Sequence, residues 1–225
     1  MNPKTIDTIV KIVDTLKAQG YPVPKDVIGS AALAKTVVHY EFALSQAIRD
    51  LYNTGDIGAY IDRHAGLIEE QFTRAWNEGM REAGIDPKEM TEEERETLQR
   101  EITMEENYVL DFAAEILLAA AEGKPVSPFV SRASVWANRY NSVMNMAKVM
   151  AAGNKKMKWV LGPTEHCGSC FKLSGIIKRA STWERAGIRP QNAPNPMLEC
   201  GGWNCQCQLV FTTEPARRGP FPKLP

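Results

Sequence analysis

Five cysteines lie close together near the C-terminal end of this 225-residue chain, and thiolates are well suited to binding a metal ion. A random scatter would rarely place every cysteine between positions 167 and 207. Only Gly168 and Ser169 separate the first two, so both sulfurs can turn toward one ion. In the second group, Gly201 and Gly202 let the backbone fold tightly. The spacing predicts a zinc-type site formed by Cys167, Cys170, Cys200, Cys205 and Cys207.

A tetrahedral zinc site needs only four ligands, so one of the five cysteines is not required. Cys207 begins a predicted strand that runs to Thr213, and we therefore hold it as the substitute. The favoured ligands are Cys167, Cys170, Cys200 and Cys205. His166 is not favoured, because an immediate neighbour of a ligand rarely reaches the same ion well. Four thiolates would leave no position for water, which predicts a structural rather than a hydrolytic metal.

Two other interpretations of the cysteines stay open: disulfides or a redox pair, and reduced thiols that serve only packing. No thioredoxin-like alternation of strands and helices surrounds Cys167 and Cys170. Residues 1–20 alternate charged and apolar side chains instead of showing a signal-peptide core. We therefore expect synthesis in the cytosol, where structural disulfides are rare, and zinc is the favoured cofactor.

The cysteine module, residues 155–213, is predicted to be a small α+β unit. Alternating apolar residues and turn signals predict short strands at residues 157–161, 176–177 and 207–213. Ser181 and Glu184 are spaced to cap a turn of helix. The apolar content is too small to hold the module without a metal, and consists chiefly of Trp159, Trp183, Ile188 and Trp203. Residues 214–225 are predicted to be an extended tail that docks on a neighbour or stays mobile.

Residues 1–154 are predicted to form a mainly α-helical body, because apolar residues recur at three- and four-residue steps. Thr91 and Glu94 match a capping box at the start of one helix. The sequence Tyr21–Pro24 predicts a stiff connector. Short connections between long helices indicate a long-helix bundle or extended helical hairpins. The predicted helices cover about residues 2–19, 30–53, 56–83, 91–120 and 127–152.

The net charge is zero, yet residues 155–225 carry 11 basic and 4 acidic side chains, against 16 basic and 23 acidic in residues 1–154. The basic part can attract the acidic body, within a chain or between copies. It can instead contact DNA through phosphate neutralisation, although no nucleic-acid reader motif accompanies it. The charge of Lys172, Lys178, Arg179, Arg185 and Arg189 can also offset that of a thiolate–metal site.

Signs of catalysis are weak. His39 and His64 lie on predicted helices without a His or Cys partner three or four residues away, and are interpreted as structural or surface residues. The sequence has no H-E-x-x-H motif, no phosphate-binding glycine loop and no nucleophile paired with a base. We therefore expect a protein that is not an enzyme, and a metal-dependent nuclease or toxin-like hydrolase is the least favoured function.

Several short segments resemble the phage head morphogenesis family, which groups the Mu F and SPP1 minor capsid proteins. In the C-terminal part these segments are residues 159–162, 164–170, 173–175, 180–183, 187–191 and 198–209. Ala75–Gly79 and Trp136–Asn141 are similar to the helical part of such proteins. The family more often ends in His-Pro-Asn-Cys-Arg-Cys, where this chain has Gly202–Cys207. Cys200 is the expected replacement for the missing histidine.

The resemblance implies a minor capsid protein that acts in virion assembly, near the portal or inside the head. Its expected partners are portal or capsid proteins, further copies of itself, and DNA through the basic C-terminal region, but no membrane. Its expected location is the host cytoplasm during synthesis and the virion head after assembly. No active site follows from the resemblance.

Overall fold

The structure, a computed structural model, is mainly helical with a small three-stranded sheet near its C-terminal end, which confirms the predicted fold class. It describes residues 11, 15, 18, 25–162, 165–203 and 205–225, and side chains in the helical range only from residue 36. Most of the predicted first helix and the whole connector Tyr21–Pro24 lie outside the described residues. Within those residues, no helix combines the length and apolarity that crossing a bilayer requires.

The long helices agree with the apolar spacing to within a few residues at most ends. Thr91 and Glu94 form the predicted capping box: the Thr91 amide donates to the Glu94 carboxylate (2.8 Å), and the Glu94 amide donates to the Thr91 hydroxyl (3.3 Å). A short 3-10 helix at Pro87–Glu89 was not predicted. The helices are α1 (Lys25–Thr54), α2 (Ile57–Glu82), α3 (Glu92–Ala121) and α4 (Ser127–Ala152).

The chain divides into two compact units, which do not separate at the predicted boundary of residue 154. One comprises Met1–Leu67 with Glu106–Asn138, and the other Ile68–Glu105 with Arg139–Pro225. The cysteine module is therefore part of a larger unit. Val149 and Ala152 of α4 are buried in the same cluster as residues of the module, and this shared packing explains the difference.

The first unit is built from an apolar core of helical side chains. Its fully buried residues include Tyr40, Leu44, Ile48, Leu51, Phe112 and Ile116. His64 is also fully buried, with its ring edge-on to Tyr60 (5.0 Å) and to Trp136 (4.8 Å). Burial lowers the pKa of His64 to about 4, so the imidazole is neutral in the folded protein at pH 7. His39 is exposed.

The second unit contains a close crossing of α2 and α4. A Cβ atom at Gly79 would overlap the Met144 carbonyl oxygen and lie 2.9 Å from the Ala147 side chain. Nearby, Arg139 forms ion pairs with Glu101 (3.0 Å) and Glu105 (2.7 Å), and all three side chains are largely buried. The lack of a side chain at Gly79 allows α2 and α4 to pack closely, and the ion pairs of Arg139 join α4 to α3.

The sheet belongs to the second unit and has the order β2-β1-β3, with both pairings antiparallel. In the central strand, Met157 and Trp159 are fully buried, as the alternation predicted. Two short helices flank the strands. The elements are β1 (Lys156–Val160), α5 (Gly168–Leu173), β2 (Ile177–Arg179), α6 (Ala180–Arg185) and β3 (Gln208–Phe211).

Three details of the module differ from prediction. Helix α5 was missed because its six residues are too few to show a period. Ser181 lies inside α6, whose N-cap is Arg179, so the predicted cap is wrong. Trp203 is 50% exposed and is not part of the core, whereas Trp159, Trp183 and Ile188 are buried.

The C-terminal tail, residues 214–225, packs on its own module. The Arg217 amide donates to the Ile177 carbonyl (2.9 Å), which extends the contacts of the β2 edge. The ring of Phe221 lies 4.8 Å from that of Trp183, and Leu224 is buried in the same cluster. These contacts place apolar side chains of the tail against the module of its own chain.

Candidate metal centre

The cysteines converge because the sheet brings two distant segments to one place. Strand β1 ends at Val160, which pairs with Gln208 at the start of β3. The segment that leaves β1 and the segment that enters β3 therefore meet at the same end of the sheet. Cys167 is the N-cap of α5 with Cys170 in its first turn, and Cys207 directly precedes β3.

The five cysteines, here called the thiol cluster, form two groups that share one sulfur. The sulfurs of Cys167, Cys170 and Cys200 lie within 4.8 Å of one another, and so do those of Cys170, Cys205 and Cys207. We call these the first and the second triad. Cys170 and Cys205 are 3.9 Å apart, and all five cysteines, each among the described residues, are free thiols.

His166 also joins the cluster, although it was not favoured as a ligand. Its Nδ1 atom lies 3.6 Å from the sulfur of Cys207, and its Nε2 atom is 3.0 Å from the Gly162 carbonyl oxygen. The ring stands edge-on to Phe171 at 5.7 Å. His166 reaches Cys207 rather than its neighbour Cys167, because Cys167 turns into α5 while the histidine stays at the end of the sheet.

Close backbone approaches hold the two segments together. A Cβ atom at Gly162 would overlap the Gln206 carbonyl oxygen, so only glycine fits between the segments. Gly202 has a φ of +81°, and a Cβ atom there would lie 2.6 Å from the Asn192 carbonyl oxygen. Gly162 and Gly202 therefore allow the close backbone approaches that bring the two cysteine-bearing segments together.

Two hydrogen bonds of Glu199 add to this arrangement. The Glu199 amide donates to the Ser169 hydroxyl (3.0 Å), and the Glu199 carboxylate accepts from the Gly168 amide (2.7 Å). These bonds join the residue before Cys200 to the two residues between Cys167 and Cys170. They fix the separation of the cysteines in the first triad.

The short distances between sulfurs change their acidity. Hydrogen bonds from Cys170 and Cys205 lower the pKa of the Cys207 thiol to about 3, whereas the hydrogen bonds with Cys205 and Cys207 raise the pKa of Cys170. Neighbouring S–H groups thus favour ionisation of one sulfur, and charge repulsion opposes ionisation of the rest. A bound cation relieves that repulsion, because it takes the place of the shared protons.

The basic side chains of the module are largely engaged in contacts within the second unit. Lys178 donates to the carbonyl oxygens of Arg217 (2.8 Å) and Gly219 (2.5 Å), and Lys172 donates to that of Lys223 (3.1 Å). Other such contacts are Arg179 with the Asn154 carbonyl and Arg189 with Glu184. Lys178 and Lys172 therefore hold the C-terminal tail on the module.

The thiol cluster can hold a metal ion. Zinc bonded tetrahedrally to two thiolates at its usual distance places their sulfurs about 3.8 Å apart, and the 3.9 Å between Cys170 and Cys205 matches this spacing. Of the favoured ligands, Cys205 groups with Cys170 and Cys207 rather than with Cys167 and Cys200. The sequence located the cluster but did not show how it divides, since spacing alone does not fix distances across the sheet.

In comparisons with known proteins, no family model, curated protein or solved structure matches the chain. The residues of the thiol cluster and their surroundings therefore carry what can be inferred about function.

Proposed function

We propose that this chain is a structural assembly protein in which zinc cross-links the cysteine module and so fixes a surface for a protein partner. The observation that carries the proposal is the convergence of five thiols, from segments some thirty residues apart, onto one end of a small sheet. The strands of this sheet contain only three to five residues. Strands this short supply few backbone hydrogen bonds. A metal that joins their flanking segments supplies the missing constraint.

Zinc is the ion that best suits these donors. Thiolate and imidazole are soft or borderline ligands, which select zinc or iron over magnesium and calcium, and a tetrahedral site of sulfur and nitrogen is typical of structural zinc. Every candidate ligand comes from the module itself. The ion therefore joins parts of one chain.

A structural role follows from the donor set. Sites that hydrolyse substrates keep a coordination position open beside a general base, and they use few thiolates. Here sulfurs dominate the cluster, and Cys170 and Cys207 are buried. We therefore propose that the metal supports shape and that the chain is not an enzyme.

The proposed setting is a phage head, with portal or capsid proteins as partners. This part rests on the likeness of residues 159–162, 164–170 and 198–209 to minor capsid proteins, and on the position of the thiol cluster in the last two of these segments. On this proposal, the module is the part of the chain that contacts the partner, and the protein enters the virion during assembly.

Metal analysis tests the zinc cross-link. Protein purified under reducing conditions should contain zinc, and a chelator should lower the midpoint of thermal unfolding, with recovery when zinc is added back. Magnesium at the same concentration is the control and should restore nothing. Metal-free protein with an unchanged midpoint would contradict the proposal.

Co-purification with portal or capsid subunits tests the assembly role. Zinc-loaded protein should bind one of these partners, and the chelated protein should not. Binding to duplex DNA that weakens steeply with added salt, without binding to either subunit, would instead favour the DNA-binding alternative.

A further inference from the structure

We propose that the thiol cluster is a two-metal centre, in which the sulfur of Cys170 bridges the ions and His166 is a ligand. This inference rests on the proposed zinc cross-link and specifies its composition. The first triad supplies one ion and the second triad the other, and Cys170 is the one residue common to both. A thiolate sulfur has enough lone pairs to bond two ions at once.

Two distances at the second triad have the values expected between ligands of one zinc ion, and one of them involves His166. Around a tetrahedral zinc ion, two sulfurs lie about 3.8 Å apart, and a sulfur and an imidazole nitrogen about 3.6 Å apart. The corresponding distances here are 3.9 Å between Cys170 and Cys205, and 3.6 Å between Cys207 and His166 Nδ1. Two edges of a coordination tetrahedron are thus matched, one between Cys170 and Cys205 and one between Cys207 and His166. The three sulfurs form the mutual group, and His166 approaches it through Cys207.

The other nitrogen of His166 is bonded in the way that metal-bound histidines require. A carbonyl oxygen can only accept, so the contact of Nε2 with the Gly162 oxygen (3.0 Å) places the proton on Nε2. The lone pair on Nδ1 is then free to bind a cation beside the sulfur of Cys207, 3.6 Å away. Phe171 packs edge-on against the ring and limits its rotation. The histidine is thus oriented before any metal binds.

The sulfurs of the first triad can bind a second ion. Cys167 and Cys200 lie within 4.8 Å of each other and of Cys170, and they do not form a disulfide. With Cys170 as a bridge, these three sulfurs offer a second ion three ligands.

Charge also favours two ions over one. Five thiolates with two divalent ions leave a single negative charge, whereas one ion would leave three negative charges or require protonated sulfurs beside the metal. Burying uncompensated charge is costly, and Cys170 and Cys207 are buried. A second ion neutralises the sulfurs that the first cannot reach.

Native mass spectrometry of the full chain, loaded with zinc alone, counts the ions directly. The expected result is two zinc ions per chain. Cys200→Ser and Cys167→Ser should each retain one ion, since neither removes a ligand of the second triad. One ion in the wild-type protein would overturn the two-metal centre but leave the zinc cross-link intact, whereas no ion would overturn the cross-link as well.

Cadmium-113 NMR tests His166 without depending on how the cysteine variants fold. Cadmium-loaded wild-type protein should give two resonances of equal intensity, because the two ions have different ligands. In His166→Ala, the resonance of the site with the nitrogen ligand should shift or disappear. His39→Ala, which changes an exposed histidine on α1, should leave both resonances in place. A single resonance, or two that do not respond to His166→Ala, would overturn the proposal.

Discussion

The helical core of the first unit and the cysteine module of the second are held together in different ways. In the first unit, buried apolar residues recur along α1 and α3, and their packing gives the helices most of their stability. In the module, the strands contain three to five residues, and many of the contacts join residues far apart in the sequence. The thiol cluster, the C-terminal tail and polar side chains connect its short elements.

The difference concerns where the stabilising free energy comes from. In a helix core, each deleted side chain costs its own burial and the cavity that it leaves, so the loss is limited to that position. A module closed by a few bonds between distant segments depends strongly on each of them. Single substitutions should therefore have larger effects at the cluster than at an apolar position of similar burial.

Cys170→Ser should have the largest effect, because Cys170 belongs to both triads. Structural zinc binding contributes on the order of 10 kcal/mol to folding in small domains, so loss of the shared ligand should unfold the module. Near-UV circular dichroism should show a lost signal from Trp159 and Trp183, with most far-UV helical signal retained. Ser131→Ala on α4 is the control and should change neither signal. Native near-UV signal in Cys170→Ser would show that the packing alone is sufficient.

Arg139→Met should cause the second-largest loss of stability. The substitution leaves Glu101 and Glu105 buried without their cation, which costs about 3–5 kcal/mol. It also removes the hydrogen bond from Arg139 to the Ala193 carbonyl (3.2 Å). Chemical denaturation measures the loss. Arg95→Met breaks the exposed pair with Glu92 and an exposed hydrogen bond to the Met90 carbonyl, and should cost less than about 1 kcal/mol. Equal losses in the two variants would contradict the account.

His64 should make stability depend on pH within the first unit. Its pKa falls from 6.5 to about 4 on folding, so the unfolded chain binds a proton that the folded chain does not. Stability should therefore be constant above about pH 6.5 and fall by about 3 kcal/mol as the pH decreases toward 4. Denaturant unfolding at a series of pH values measures this slope. His64→Phe should reduce it, His39→Ala should not, and an equal slope in both variants would exclude His64 as its source.

Phe221→Ala should have the smallest effect, because the tail contributes only part of the module's apolar core. Loss of the contact with Trp183 should cost about 1–2 kcal/mol, less than the deletion of a fully buried ring. Intrinsic tryptophan fluorescence during thermal unfolding measures it. Phe42→Ala, at a position 65% exposed on α1, should be close to neutral. If both variants unfold at the wild-type midpoint, the tail does not stabilise the module.

The sequence predicted the helices well because their signals are local. Apolar residues at three- and four-residue steps and the Thr91–Glu94 capping box depend on neighbours along the chain. The sequence did not predict helix α5 or the N-cap of α6, because six residues are too few to show the apolar period of a helix. Trp203 was wrongly placed in the core because an aromatic residue beside two glycines gives no sign of its direction.

The candidate site was predictable in its members but not in its arrangement. Clustering of the five cysteines indicated a common ligand from the sequence alone. Their division into two triads, and the approach of His166 to Cys207, depend on the pairing of Val160 with Gln208. The spacing of the cysteines along the sequence does not predict that these two strands pair. The tail contacts of Lys178 were missed for the same reason.

Amide hydrogen exchange with and without bound zinc tests most directly whether the metal holds the module. On removal of zinc by a chelator, amides of β1, β2 and β3 should exchange much faster, while those of α1 and of α3 residues 106–121 should keep their protection. Equal protection of the strands in the two samples would show that they need no metal, and would contradict the central claim.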